Sequence, residues 1–100
     1  MRILILPSAR DDLSDGFDFY ERQQEGVGDY FLESLFSDIE SLRLYAGIHP
    51  KRFGYHRLLS KRFPCAVYYD QEGTTARVWA VVDCRSDPNA IREKLAGLGH

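Results

Sequence analysis

The chain has 100 residues, of which 44% are hydrophobic and 28% are charged, and its formal net charge is −2. This length allows one domain, residues 1–100, and excludes two, while the hydrophobic fraction is sufficient for a packed core. No apolar run is long enough to cross a membrane, and Ile3 to Leu6 is too short for the core of a signal peptide. We therefore expect a cytoplasmic protein without a membrane partner, with Cys65 and Cys84 reduced.

The charges are unevenly distributed along the chain. Residues 1–40 contain ten acidic and three basic residues, whereas residues 41–100 contain five acidic and ten basic residues. From Lys51 to Arg62 there are five cations and no anion. Such polarity often separates a solvated acidic face from a basic binding face, and a cluster of solvated surface cations is the alternative interpretation.

The first half of the chain predicts a strand followed by two helices. The apolar run from Arg2 to Leu6 indicates a covered strand, because it is apolar on both faces and ends at a proline. Ser8 begins a capping-box pattern, and helical spacing then predicts a helix from Ala9 to Gln24. After the glycines at 26 and 28, an apolar stripe predicts a second helix from Val27 to Tyr45. Together the two helices predict a helical hairpin.

The second half predicts three antiparallel strands and a short helix. A connection comes first, from His49 to Phe53. The predicted elements that follow are the strands Tyr55–Leu59, Cys65–Asp70 and Thr75–Asp83 and the helix Pro88–Ala96, with Asp87 as its cap. Strict alternation in the last strand would place Ala76, Val78, Ala80 and Val82 on one face. The remaining residues, Gly97 to His100, are expected to fray.

The predicted order is therefore β-α-α-β-β-β-α, an α+β fold. The first strand needs a partner, and the three-stranded meander offers it an edge. We expect a small, mainly antiparallel four-stranded sheet with the helical hairpin over one face.

Arginines and lysines at the strand ends are the candidate binding groups. Arg85 follows the last strand and could bind a phosphate or a carboxylate, or it could pair with Asp83 or Asp87. The second strand and its turn carry Arg57, Lys61 and Arg62, which would contact an RNA backbone, contact an acidic partner, or only protect a sheet edge.

Trp79 and Arg77 share a strand face and form a candidate partner-binding patch if that face is exposed. If the face is buried, Trp79 is part of the core under the hairpin. No metal or cofactor is expected. His49 and His56 are not at ligand spacing with the cysteines, and the glycines match no nucleotide-binding pattern. A disulfide is also not expected, because Cys65 and Cys84 would be offset by several positions across their paired strands.

The ordered set of motifs resembles the RelE/ParE superfamily of bacterial toxins. The resemblance rests on FPCAVYYD, a loop and then RVWAVVDCRSDP, together with the Pro-x-Ala-x-x-Asp-Leu pattern from Pro7 to Leu13, and it spans nearly the whole chain. It implies a toxin of a type II toxin-antitoxin, or plasmid stabilisation, system that inhibits growth and is neutralised by a cognate antitoxin. Lys51, Arg52, Arg77 and Trp79 would contact that partner.

The resemblance leaves the target open between DNA gyrase and ribosome-bound mRNA. A ribosome-dependent endoribonuclease would use Arg57, Lys61, Arg62 and Arg85 as catalytic residues. Asp83 stands where these nucleases often have His, and the net charge is negative, which is unusual for an RNA-binding protein. These features favour a protein target such as gyrase. A toxin-like scaffold without activity is the third reading.

Overall fold

The computed structural model describes residues 1–98, so the predicted fraying of Gly99 and His100 lies outside the described residues. Helices cover both faces of one sheet, and the predicted α+β class and helical hairpin are confirmed. The elements are β1 Arg2–Ile5, α1 Pro7–Gln23, α2 Val27–Glu40, α3 Leu42–Tyr45, β2 Lys51–Arg52, β3 Tyr55–Leu59, β4 Cys65–Glu72, β5 Thr75–Asp83 and α4 Pro88–Ala96. No helix in this part of the chain has the length and apolar character needed to span a membrane.

The sheet has five strands in the order β1-β5-β4-β3-β2, so the predicted four-stranded sheet was wrong by one strand. The first strand pairs parallel to β5 at the edge of the meander, as the need for a partner suggested, and all other pairs are antiparallel. The extra strand is β2, which falls in the predicted connection. It pairs with β3 across a two-residue turn at Phe53 and Gly54, whose φ angles are 57° and 86°. Two positive φ angles are typical of the tight turns that join twisted strands.

Two helix boundaries differ from the prediction. The first helix begins at Pro7, which suits an initial helical position, and Ser8 does not cap it. Instead, the Ser8 hydroxyl donates a hydrogen bond to the Trp79 carbonyl oxygen at 2.6 Å. The second helix ends at Glu40 rather than Tyr45. The Ser41 hydroxyl donates to the Asp38 carbonyl oxygen at 2.6 Å and so competes with the helical hydrogen bonds, and α3 begins at the next residue.

A β-bulge at Trp79 breaks the strict alternation that the sequence predicted for β5. Tyr68 of β4 pairs with Ala80, but the next residue, Tyr69, pairs with Val78, so Trp79 is the extra residue. As a result, Ala76 and Val78 join the core under the helical hairpin. Ala80 and Val82 join the core under α4. The predicted single face is therefore divided between the two sides of the sheet.

The bulge also determines the position of Trp79. Its ring packs against the core cluster under α4, so the alternative that placed it under the hairpin was wrong. The sheet thus has a hairpin face, covered by α1 and α2, and an α4 face, covered by α4.

Both cysteines are free, but their offset is smaller than predicted. Cys65 pairs with Asp83, so Cys84 is one position further along rather than several. Successive residues point to opposite faces of a strand, and Cys65 is buried on the hairpin face while Cys84 is exposed.

Candidate functional site

Three of the predicted cations lie together at one edge of the sheet. Lys51, Arg52 and Arg57 line a shallow depression of about 220 Å³ together with Pro50 and Leu59. We call these three cations the basic edge. The strands bring them together because β2 pairs with the start of β3, and the Arg57 amide donates to the Pro50 carbonyl oxygen at 2.9 Å. This arrangement concentrates positive charge at the last strand of the sheet, where an anionic group can approach from solvent.

Arg92 adds a fourth cation near this edge, and the sequence reasoning missed it. The guanidinium carbons of Arg52 and Arg92 lie 5.1 and 5.4 Å from the centroid of the Phe53 ring. Cation–π contact with one ring thus joins β2 to α4. A signal was present in the sequence, since Arg92 is in the only predicted helix that follows the sheet, but its approach to Phe53 depends on the turn between β2 and β3.

Arg85 is separated from the basic edge and is already paired. Its Nε and Nη2 donate to the two carboxylate oxygens of Asp83 at 3.0 and 2.8 Å, and its backbone amide donates to the same carboxylate at 2.7 Å. This is the ion pair that was the alternative to a binding role. The Arg85 hydrogen bonds lower the pKa of Asp83, although partial burial opposes them. Asp83 lines a depression on the hairpin face with Tyr20 and Cys65, whereas Arg57 shares the α4 face with Tyr55.

Lys61 and Arg62 are exposed in an anchored loop between β3 and β4. The Ser60 hydroxyl donates to the buried Asp38 carboxylate at 2.6 Å, which fixes the start of the loop. The Phe63 ring fixes its end, because it packs among Tyr20, Tyr30 and Phe31 at centroid distances of 4.9 to 5.3 Å. Neither cation forms an ion pair with any described residue. The loop therefore presents two uncompensated charges from a fixed base.

Arg77 and Trp79 form a cross-strand brace instead of an open patch. Arg77 donates two hydrogen bonds of 2.8 Å to Asp70 and pairs with Glu72 at 2.8 Å. Its guanidinium also lies 5.4 Å from the centroid of the Trp79 ring. A guanidinium bound in this way has few donors left for a partner. The structure thus places both predicted residues on the α4 face, with the Arg77 guanidinium directed to the Trp79 ring and to the carboxylates of β4.

Two histidines and two cysteines are the candidate proton-transfer groups in the described part of the chain, and His56 lies opposite Lys51 in register. His49 and His56 lie on the hairpin face, where both contact Tyr69. Burial raises the pKa of the Cys65 thiol to about 11. Burial also raises the pKa of Cys84, which the charge of Arg57 only partly offsets. Neither thiol is thus activated as a base, and residues 1–98 contain no group of His, Cys, Asp or Glu side chains that could hold a metal ion.

An apolar groove runs between β1 and the helical hairpin, and nothing in the sequence reasoning located it. The groove has a volume of about 640 Å³, and its lining includes Leu4 and Phe36, whose exposed fractions are 44% and 46%. The other lining residues are Ile3, Ile5, Arg10, Leu13, Ser14, Phe17 and Leu32. Beside it, β1 is the edge strand of the sheet, with no neighbour on its outer side among the described residues. An edge strand next to an apolar groove is suited to a partner segment.

Comparison with known proteins finds a match for the structure of the chain but none for its sequence. No protein-family model matches the chain, and no curated protein matches it. Among solved structures, the fold is similar to a chain of the chromosomal ParDE TA system from P. aeruginosa, with a TM-score of 0.75 and 16% sequence identity. The similarity covers 83% of this chain and 95% of that chain. The chain therefore shares its α+β fold with a chain of that system.

Proposed function

We propose that this chain is the toxin component of a type II toxin-antitoxin system. The observation that carries the proposal is the fold shared with a chain of a ParDE TA system over most of both chains. The anchored cations and the apolar groove support it, because they give the molecule one surface for a target and another for a partner.

The apolar groove is the proposed binding site of the cognate antitoxin. A segment with an apolar stripe would bury Leu4 and Phe36, which are otherwise about half exposed. Its backbone could also pair with the outer edge of β1. Acidic residues of the same antitoxin would meet the basic edge and the cations up to Arg62. The partner is therefore expected to be amphipathic, acidic at one end, and ordered only when bound.

A protein such as DNA gyrase is the proposed target. This choice is supported by the contacts that hold both His49 and His56 against Tyr69 and by the raised pKa values of the Cys65 and Cys84 thiols. Arg85, one of the four residues expected in a nuclease, is paired with Asp83. A surface that only has to complement a protein partner needs no proton-transfer group, whereas RNA cleavage does.

Ribosome-dependent cleavage of mRNA is the second candidate function. Arg57, Lys61 and Arg62 are free of ion pairs with described residues, and this availability favours phosphate binding. Arg85 would take part only if RNA replaced Asp83 as its partner. An inactive scaffold that binds the antitoxin alone is the third outcome that an experiment must distinguish.

Induced expression in a bacterial host tests the target. Growth, mRNA integrity and gyrase-linked DNA breaks are measured together for the wild type, Arg57→Ala and Arg85→Ala. Growth arrest with DNA breaks and intact mRNA is expected. If the wild type arrests growth and cleaves mRNA, and either substitution abolishes the cleavage, the protein is a nuclease instead. Soluble, folded protein that does not arrest growth would overturn the toxin proposal.

Coexpression with the protein encoded beside this chain tests the antitoxin site. Leu4→Asp and Phe36→Asp place a charge in the groove, so both variants should stay toxic but escape neutralisation. Leu44→Asp is the matched control, because Leu44 is 82% exposed on α3 and does not line the groove. If the groove variants are neutralised as well as the control, the antitoxin binds elsewhere.

A further inference from the structure

A buried tyrosine holds the segment that leads into the basic edge. The Tyr69 hydroxyl accepts a hydrogen bond from the Gly47 amide at 2.9 Å and is 2.5 Å from Nδ1 of His49. Tyr69 is completely buried in the centre of the sheet, whereas Gly47 is exposed and His49 is half-buried. The tyrosine is therefore the fixed point, and the segment from Gly47 to Pro50 is the part that can move.

His56 contributes a second contact to the same segment. It pairs with Tyr69 in register and stacks on its ring at a centroid distance of 5.0 Å. Its Nδ1 is 2.7 Å from the His49 carbonyl oxygen. Because a carbonyl only accepts, Nδ1 of His56 must carry the proton. Side chain and backbone of His49 are thus both held, by two neighbouring strands.

The proton positions around Tyr69 follow from the available donors. The Gly47 amide occupies one lone pair of the hydroxyl oxygen, so the hydroxyl proton needs an acceptor. Nδ1 of a neutral His49 supplies it. When His49 takes up a proton, Nδ1 becomes a donor, and the buried Tyr69 hydroxyl loses its acceptor. Neutral His49 therefore fits the bonded arrangement, and charged His49 opposes it.

We propose that His49 and Tyr69 form a pH-operated latch. Neutral His49 keeps the segment from Gly47 to Pro50 on the sheet, and protonated His49 releases it. Release would loosen the attachment of β2, which follows directly, and so change how Lys51 and Arg52 are presented to an anionic partner. This regulation goes beyond the proposed toxin function and does not depend on it.

The surroundings of His49 favour its neutral form. Burial lowers the pKa of His49, and the charge of His56 lowers it further. From β2, Lys51 is opposite His56 in register and adds a positive charge to this end of the sheet. On the helical side, Ile39, Leu42 and Ala46 belong to the hydrophobic cluster that contains Tyr69, and the buried carboxylate of α2, Asp38, is hydrogen-bonded to Ser60. Gln71, which approaches Gly47, is neutral.

Amide exchange of Gly47 measures the latch directly. Its protection factor, corrected for the intrinsic rate at each pH, should fall by up to about tenfold per pH unit as the pH drops from the ordinary histidine pKa of 6.5 to the lowered pKa of the latched His49, and it should be constant outside this range. A side-chain nitrogen NMR spectrum at pH 7.5 should show His49 with its proton on Nε2. Gly47 protection that is unchanged between pH 7.5 and 5 in the wild type would overturn the proposal.

Three variants separate the latch from general unfolding. In His49→Gln, Gly47 protection should no longer depend on pH; a pH dependence that persists there would assign the effect to another group and refute the latch. Tyr69→Phe should show low protection at every pH. Tyr55→Phe is the matched control, because it removes a buried hydroxyl from the α4 face, and it should keep the wild-type pH dependence. Because His49 is half-buried, His49→Gln should fold, and this variant tests the latch even if Tyr69→Phe does not fold.

Discussion

Asp12 and Val81 are joined by a hydrogen bond from the strand to the helix, in which the Val81 amide donates to the Asp12 carboxylate at 2.9 Å. Four residues earlier on the same face of α1, the Ser8 hydroxyl donates to the Trp79 carbonyl oxygen. Both backbone groups belong to the bulged part of β5, just beyond the last residue paired with β1. Two side chains of α1 therefore complete the hydrogen bonding where β1 has ended, and they join the hairpin to the sheet.

Replacing Asp12 should show how much the hydrogen bond to Val81 contributes to the free energy of unfolding. Asp12→Ala leaves the Val81 amide without its acceptor in a partly buried position, which should lower the free energy of unfolding by about 1–3 kcal/mol. Asp12→Asn keeps an acceptor oxygen and should cost less, even though it loses the ion pair with Lys94. Urea unfolding of the two variants measures the difference. Equal losses would mean that the Lys94 contact, rather than the bond to Val81, is the important one.

The pH dependence of stability should carry the signature of the same carboxylate. Burial is the largest effect on Asp12 and raises its pKa above the ordinary value of 3.8. The folded state thus binds the Asp12 proton more tightly than the unfolded state does. This contribution to stability is lost as the pH rises from the ordinary value of 3.8 through the raised pKa. Asp12→Asn lacks it, so its stability relative to the wild type should improve from pH 3 to 6. A constant difference would contradict the raised pKa.

Gly16 of α1 should resist substitution, although glycine weakens a helix. A Cβ atom at this position would be 2.5 Å from the ring of Phe31 on α2. Gly16→Ala gains about 1 kcal/mol of helix propensity but overpacks the helix contact, so a net loss of about 1–2 kcal/mol is expected. Thermal unfolding measures it. A double-mutant cycle with Phe31→Leu should show that the smaller side chain recovers part of the loss, and strict additivity would exclude the clash.

Arg85→Ala should be a folded variant, suitable for the growth experiment. Arg85 is exposed, and within residues 1–98 its hydrogen bonds reach only Asp83. Because its pKa is lowered, the Asp83 carboxyl stabilises the folded state at pH values above its ordinary pKa of 3.8. This contribution is lost as the pH falls through the lowered pKa. Removing Arg85 should therefore lower the melting temperature at pH 7 only slightly, because the pair is exposed, and this difference from the wild type should disappear as the pH falls through the lowered pKa of Asp83. A large decrease at pH 7 would make loss of toxicity uninterpretable.

Thiol labelling should distinguish the two cysteines. Cys84 is exposed, whereas Cys65 is buried and has a pKa raised to about 11. At pH 8 a thiol reagent should label one cysteine per folded chain quickly and the second only after denaturation. Cys84→Ser should abolish the fast phase. Fast labelling of both thiols in the folded protein would show that the hairpin face opens at the end of β4.

The sequence predicted elements whose signals are local. Asp87 caps α4 and accepts a hydrogen bond from the Asn89 amide at 3.1 Å, and Pro88 begins this helix. Both features were predictable because they depend only on three neighbouring residues. The helical hairpin followed from apolar periodicity. By contrast, the strand Lys51–Arg52 has no apolar pattern and exists because a tight turn pairs it with β3. The bulge at Trp79 is equally invisible, because the residues that stabilise it, Ser8 and Asp12, are some 70 positions away.

In the candidate site, too, some features follow from the local sequence and others from contacts between distant residues. Which residues carry charge, and that the cations concentrate after residue 40, was determined by the sequence itself. Tertiary structure alone decided that Arg85 and Arg77 are paired, that Lys61 and Arg62 form no ion pair with another described residue, and that Arg57 joins β2 at the basic edge. The groove beside β1 was decided in the same way. The physical reason is that pairing, burial and concavity depend on which strand lies next to which, and residues distant in the chain set that order.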